Sequence, residues 1–190
     1  MTSRAELKYF LREDFKAYSC RLKTPNTLQN KLYNFFYRKN NLVLKFQRIL
    51  RYLEFFGYKK KRNKSLIFNA LYYLCYIKYR KLGYKLGFTI PQNVIDSGLM
   101  ISHYGTIVIS KYARIGKNCI LHVCVNIGKH NGGAPQIGDN CFIGPGAKIF
   151  GRITIGDNVS IGANAVVNKS FPNNVVIAGI PAKIVKYKEI

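Results

Sequence analysis

The stretch Ile137-Gly138-Asp139-Asn140-Cys141-Phe142-Ile143-Gly144-Pro145-Gly146-Ala147-Lys148-Ile149 returns an aliphatic residue every six positions. The same beat continues through Ile155, Ile161 and Val167, and it precedes the stretch at Ile109, Ile115, Leu121 and Ile127. Four residues after each aliphatic comes a small or branched one: Ala113, Cys119, Val125, Cys141, Ala147, Ile153, Val159 and Ala165. A period of six fits neither an amphipathic helix nor an alternating strand. It fits a mainly β architecture, a parallel β-helix in which each hexapeptide makes one flat face of a triangular coil. Coils then stack to complete a core that none holds alone. Gly116, Gly128, Gly138, Gly144, Gly156 and Gly162 follow aliphatics and are expected to supply backbone freedom at the corners. Cys119 and Cys141 occupy the small interior position and read as buried filler.

The region before the repeat is different in kind. The chain has 190 residues and a formal net charge of +23. Residues 1–90 hold 21 Lys/Arg against 4 Asp/Glu and 20 of the 26 Phe/Tyr, so charge and aromatics concentrate outside the repeat. Gly83, Gly87 and Pro91 punctuate the junction. We therefore divide the chain into a basic, aromatic-rich helical segment, 1–88, and a β-helix domain with a C-terminal closing segment, 89–190. Helical spacing is expected over Ala5–Tyr18, Leu28–Phe56 with a break near Asn40-Asn41, and Leu66–Leu82. Thr24-Pro25-Asn26 breaks the first pair, and Gly57–Lys64, with Lys59-Lys60-Lys61-Arg62, reads as a basic turn. The segment reads as a charged helical cap or as a docking surface for an anionic membrane or a lipid-linked pyrophosphate. No nucleic-acid motif accompanies the charge, so nucleic acid is not an expected partner.

Five cysteines without a C-x-x-C pair argue against a disulfide framework and suit a reducing compartment. Met1–Phe10 carries Arg4, Glu6 and Lys8 and no apolar run of the signal-peptide kind. Ser65–Ile77 falls short of the roughly 20 residues that span a bilayer. The expectation is a cytoplasmic protein, peripheral at most at the inner face of a membrane.

Three segments carry a family resemblance. These are Gly98-Leu99-Met100-Ile101-Ser102-His103-Tyr104-Gly105-Thr106-Ile107-Val108-Ile109, Ile143–Ile149, and Ile177-Ala178-Gly179-Ile180-Pro181-Ala182-Lys183-Ile184-Val185. Together they resemble the left-handed β-helix acyltransferases of the hexapeptide-repeat superfamily, within it the serine acetyltransferase-like branch. The resemblance implies acetyl-CoA as co-substrate, no metal, and a homotrimer, with pairing of trimers as a further step. It implies His103 as general base for direct attack of a hydroxyl on the thioester, a task that suits a neutral imidazole. A backbone N–H can stabilise the oxyanion. It also implies coenzyme contacts at Gly144, Pro145, Gly162 and Ala163, with Pro181 near the nucleotide end. Lys169 and Lys183 are candidates for the coenzyme phosphates, or else solvated surface.

Counting back by six from Ile109 lands on His103, nominally an inward position. Either the first coil leaves the register or His103 lies at a corner. His122, nineteen residues on, is expected to point outward near His103, as acceptor-binding or base-assisting residue or as plain surface. Ser102 and Tyr104 flank the base and are candidates on the acceptor side. His130 sits in Lys129–Pro135, which makes the longer gap between Ile127 and Ile137 and reads as a protruding loop. Related enzymes carry a second active-site histidine there, but Ala134 occupies its aligned position, leaving His130 as a possible substitute. The family's orienting Asp, fifteen residues before the base, is replaced by Phe88, and the acid immediately before the base by Ser102. An amino acid's ammonium would lose its countercharge. Asp96 is the carboxylate nearest in sequence that could orient His103. A zinc site of the kind some β-helix enzymes carry needs H-x4-H spacing, and His122 and His130 are eight apart.

The sequence therefore points to an O-acetyltransferase acting on a sugar hydroxyl in capsule, O-antigen or exopolysaccharide synthesis, with a glycan or lipid-linked sugar as acceptor. The alternatives are serine O-acetyltransferase and a non-enzymatic trimeric scaffold at a membrane surface.

Overall fold

A computed structural model describes residues 1–19, 41–63 and 65–189. The chain forms two compact units, Met1–Leu86 and Gly87–Ile190. The expected break at Thr24-Pro25-Asn26 and the start of the second expected helix lie outside the described residues.

The first unit contains α1 (Arg4–Ser19), α2 (Leu42–Asn63) and α3 (Leu66–Leu86). Ser3 caps α1 through a bond from Glu6 N–H to its hydroxyl, at 3.1 Å. Asn41 caps α2, its side-chain oxygen accepting from Val43 and Leu44 N–H at 2.9 and 3.1 Å. The structure corrects the basic turn expected from Gly57: α2 runs through Gly57 and the lysines to Asn63. One interior glycine costs a helix only about 1 kcal/mol, and α2 is anchored upstream by buried Phe46, Leu50, Leu53 and Phe55. Arg51 is buried with them, bonded to Asp14 on α1 at 2.8 Å and to Glu54 at 3.2 Å. Burial pushes its pKa down, but the two carboxylates outweigh that and hold it above the ordinary value.

The second unit is a parallel β-helix, as the period predicts, of the left-handed kind that the resemblance implies. Its strands are β1 (Phe88–Thr89), β2 (Met100–Ile101), β3 (Ile107–Ile109), β4 (Arg114–Ile115), β5 (Ile120–Leu121), β6 (Asn126–Gly128) and β7 (Gln136–Ile137). There follow β8 (Phe142–Ile143), β9 (Lys148–Phe150), β10 (Thr154–Ile155), β11 (Ser160–Ile161), β12 (Val166–Val167), β13 (Val175–Gly179) and β14 (Ala182–Tyr187). Successive strands go to successive faces. One sheet is β1-β3-β6-β9-β12, one is β4-β7-β10, and one is β2-β5-β8-β11-β13-β14. Among the described strand pairs only the closing one, β13–β14, is antiparallel. Phe88 lies within this unit, pairing with Ile107. All ten periodic aliphatics and all eight small residues are buried, Cys119 and Cys141 among them.

The glycines do a different job from the one expected. Those that follow an aliphatic, such as Gly138 and Gly144, do not take positive φ. A Cβ on Gly138 would come within 2.8 Å of Gly156 C and 2.9 Å of Asp157 N, on the neighbouring coil. Gly116, Gly138, Gly144, Gly156 and Gly162 are glycine so that coils can stack, whereas a Cβ on Gly128 would meet nothing closer than Asn126 Oδ1 at 3.5 Å. Positive φ falls two residues later, mostly on asparagine: Asn118, Asn140, Asn158 and Asn164, with φ near 55°. Asparagine tolerates that region better than most residues.

Two changes test these constraints, both read by urea denaturation. Gly138→Ala is expected to lower stability by about 1–3 kcal/mol, because neighbouring coils must separate. Arg51→Met leaves two buried carboxylates without their cation and is expected to destabilise the helical unit by about 3–5 kcal/mol.

Candidate active site

The prism has three edges where the chain turns between faces, and the candidate residues distribute among them. Edge 1 leads from the β2-β5-β8-β11-β13 face to the β1-β3-β6-β9-β12 face. Edge 2 leads from there to the β4-β7-β10 face, and edge 3 returns to the first.

Edge 1 gathers most of the candidates. Parallel pairing sets Ile101, Leu121, Ile143, Ile161 and Ile177 in register. The residues after them therefore stack: Ser102, His122, Gly144 and Gly162 in one column, and on the regular coils Val123, Pro145 and Ala163 in the next. Bonds from Ser102, His122, Gly144 and Gly162 N–H to the carbonyls of Leu121, Ile143, Ile161 and Ile177, at 2.8–3.1 Å, tie the turns together. Pro181 lies in the turn between β13 and β14, and Lys183 is an exposed residue of β14.

The first turn of this edge is longer than the others. Ile101 pairs with Leu121, and Ile109 with Ile127. Eight residues thus separate Ile101 and Ile109, where six separate their partners. The two extra residues fall before Ile107, which is buried at the same register position as Val125 on the next coil. They also release His103 from the inward position that counting by six assigns it: His103 is exposed at the corner. Tyr104, beside it, is 75% exposed.

His122 is half-buried one coil below. Its ring centroid is 6.5 Å from that of His103, and its Nε2 lies 3.2 Å from Ser102 Oγ. Phe142, from β8, packs at 5.0 Å on its other side. Sequence reasoning missed Phe142. The signal was present, because Phe142 sits between inward Cys141 and Ile143 and must face outward. It also missed Lys148, whose Nζ donates to Cys124 O on edge 1 at 2.7 Å.

The remaining candidates lie elsewhere within one chain. Asp96 belongs to edge 3, where its Oδ1 accepts from Ser97 N–H at 2.6 Å; the structure does not bring it to the corner that holds His103. Phe88, where the family pattern has an Asp, is a buried apolar residue of β1. Edge 2 holds Lys169, which lies over the Phe171 ring at 5.6 Å, and His130. Asn131 and Gly132, with φ of 46° and 78°, form a tight turn that His130 and Gly133 close by exchanging backbone bonds. The His130 ring stands edge-on to Phe150, and Ala134 is buried. Among the described residues no three His, Cys, Asp or Glu side chains are grouped as metal ligands.

Comparison with known proteins agrees with this geometry. Residues 134–169 match the family described as Bacterial transferase hexapeptide (six repeats). A serine acetyltransferase of Staphylococcus xylosus is 44% identical over 100 residues, which are 50% of this chain and 46% of that protein. One from Staphylococcus aureus (strain N315) is 42% identical over 100 residues, 50% and 47% of the two chains. The chain thus spans about half the length of the curated relatives it matches. Among solved structures, serine acetyltransferase from Brucella abortus strain S19 superposes with a TM-score of 0.74 at 26% identity, covering 97% of this chain and 70% of that one. The same enzyme in complex with coenzyme A gives 0.75 at 25% identity, with 98% and 70% covered. Part of the β-helix thus matches a hexapeptide-repeat transferase family, and the relatives it is similar to are serine acetyltransferases.

The thiols offer a check on the edge assignment. Cys124 is exposed in an edge 1 turn, whereas Cys119 and Cys141 are buried in the prism. A hydrogen bond to Cys141, together with burial, pushes the Cys119 thiol up. Native-state alkylation followed by peptide mass mapping is expected to modify Cys124 well before Cys119 or Cys141. Early modification of the interior pair would contradict the coil register.

Proposed function

We propose that this chain transfers an acetyl group from acetyl-CoA to a hydroxyl acceptor along edge 1, with His103 as general base. The observation that carries the reading is the lengthened turn, which exposes His103 at the corner beside His122. On the coils beyond His122, Gly144, Pro145, Gly162 and Ala163 are compact residues along which an extended coenzyme could lie. The acceptor oxygen attacks the thioester carbon as the imidazole takes its proton. The C–O bond forms, the C–S bond breaks, and the imidazolium returns the proton to the leaving thiolate. Three copies packed side by side would enclose the coenzyme in the groove between neighbouring prisms.

Two acceptors have support. The names of the relatives favour L-serine. The residues around His103 favour an acceptor without an ammonium group. Ser102 replaces the acid before the base, Phe88 is apolar and buried, and Asp96 lies on another edge. We assign a sugar hydroxyl, on a glycan or a lipid-linked precursor of a surface polysaccharide. Serine O-acetyltransferase is the second reading.

Thiol release from acetyl-CoA, with L-serine and a panel of glycans as acceptors, tests both. Turnover with a glycan and not with serine is expected. His103→Ala is expected to lower kcat by about 10²–10⁴ with CoA affinity retained. Turnover with serine alone would overturn the acceptor assignment, and full activity of His103→Ala would overturn the base. Absence of both turnover and acetyl-CoA binding would favour the scaffold.

A further inference from the structure

Helix α3 is rich in apolar residues, yet over Leu66–Leu86 only Gly83 and Leu86 are buried. α2, one residue longer, buries nine. The exposed apolar residues of α3 form one stripe, because Leu66, Ile67, Tyr73, Leu74, Ile77 and Tyr84 recur at helical spacing. Leu66 is 84% exposed and Ile67 70%. A stripe of this size is unusual on a solvated surface and marks a place where something docks.

The charges around it indicate what docks. The helix carries Lys78, Arg80, Lys81 and Lys85 and no acidic residue. The end of α2 adds Lys59, Lys60, Lys61 and Arg62. Lys60 binds that end to the α3 stripe, its Nζ donating to Tyr73 OH at 2.9 Å and lying 4.6 Å from the Tyr72 ring centre. Residues 1–86 contain four acids, and each is engaged away from this face. Glu6 accepts from Thr2, and Glu13 pairs with Arg12 and Lys16. Asp14 and Glu54 are buried on Arg51. The face therefore combines apolar and aromatic residues with cations, Lys81 on the stripe itself and the others around it. A second copy of the same face would bring like charges together. A surface with negative headgroups and an apolar interior complements both features.

No described helix is long and apolar enough to cross a membrane. We propose that α3, with the basic end of α2, lies in the headgroup plane of an anionic bilayer, Leu66, Leu74 and Ile77 inserted and the lysines at the phosphates. This docking does not depend on which acceptor the β-helix uses.

Flotation of the full chain with lipid vesicles tests it. Binding is expected to vesicles of phosphatidylcholine doped with phosphatidylglycerol, and only weakly to phosphatidylcholine alone. It is expected to fall with added salt. Lys59→Glu/Lys61→Glu/Arg62→Glu should weaken it by about a hundredfold, since each of the three lost cations is worth about fivefold. Leu66→Ser/Leu74→Ser/Ile77→Ser should weaken it while leaving the salt dependence of residual binding. These positions are exposed, and far-UV circular dichroism verifies that the variants are folded. No binding to the anionic vesicles, or equal binding to both kinds, overturns the proposal. So does a serine triple variant that binds vesicles normally but loses mass in light scattering, because the stripe then covers another copy of the chain.

Discussion

A coil of this β-helix has no core of its own; its aliphatic side chain and its backbone N–H groups both find their partners on the next coil. That single constraint fixes much else. It holds Ile101, Leu121, Ile143, Ile161 and Ile177 in one register. It demands glycine at Gly138 and Gly144, where a Cβ would meet the adjacent turn. It also converts positions far apart in sequence into straight columns along an edge, so a ligand-binding strip can be built from one residue per coil.

The proposed chemistry falls where the constraint is locally relaxed. Two additional residues between Ile101 and Ile109 lengthen one turn, and that turn carries His103. The coils below keep the regular six-residue spacing. His122, placed beneath Ser102 and beside Phe142, is held by its neighbours rather than by the coil geometry. One edge can thus present an exposed imidazole above turns of regular length.

The β-helix was legible because its period is enforced by burial: all ten periodic aliphatics are interior. The corner glycines were legible as residues but not in role, since clearance between coils leaves no mark on a single coil's sequence. The positive-φ signal was present as asparagine three places after the aliphatic, at Asn118, Asn140 and Asn158. His103 was recognisable from its motif, but its orientation was not. Ile107 and Ile109 both face inward, and this hides the added length from a count by six. The edge on which Asp96, His130 and Lys169 fall depends on which faces their flanking strands join, which spacing from His103 does not report. In the helical unit, the basic run after Gly57 looked like punctuation, and tertiary anchoring by Phe46, Leu50 and Leu53 carried α2 through it.

The central claim is that edge 1 is the working edge of the prism. Hydrogen exchange with and without coenzyme A, read peptide by peptide, tests it most directly. A working edge 1 predicts slowed exchange in the turns at 102–106, 122–125, 144–147 and 162–165. Slowing confined to edge 3, at 96–99, 116–119 and 138–141, would contradict it.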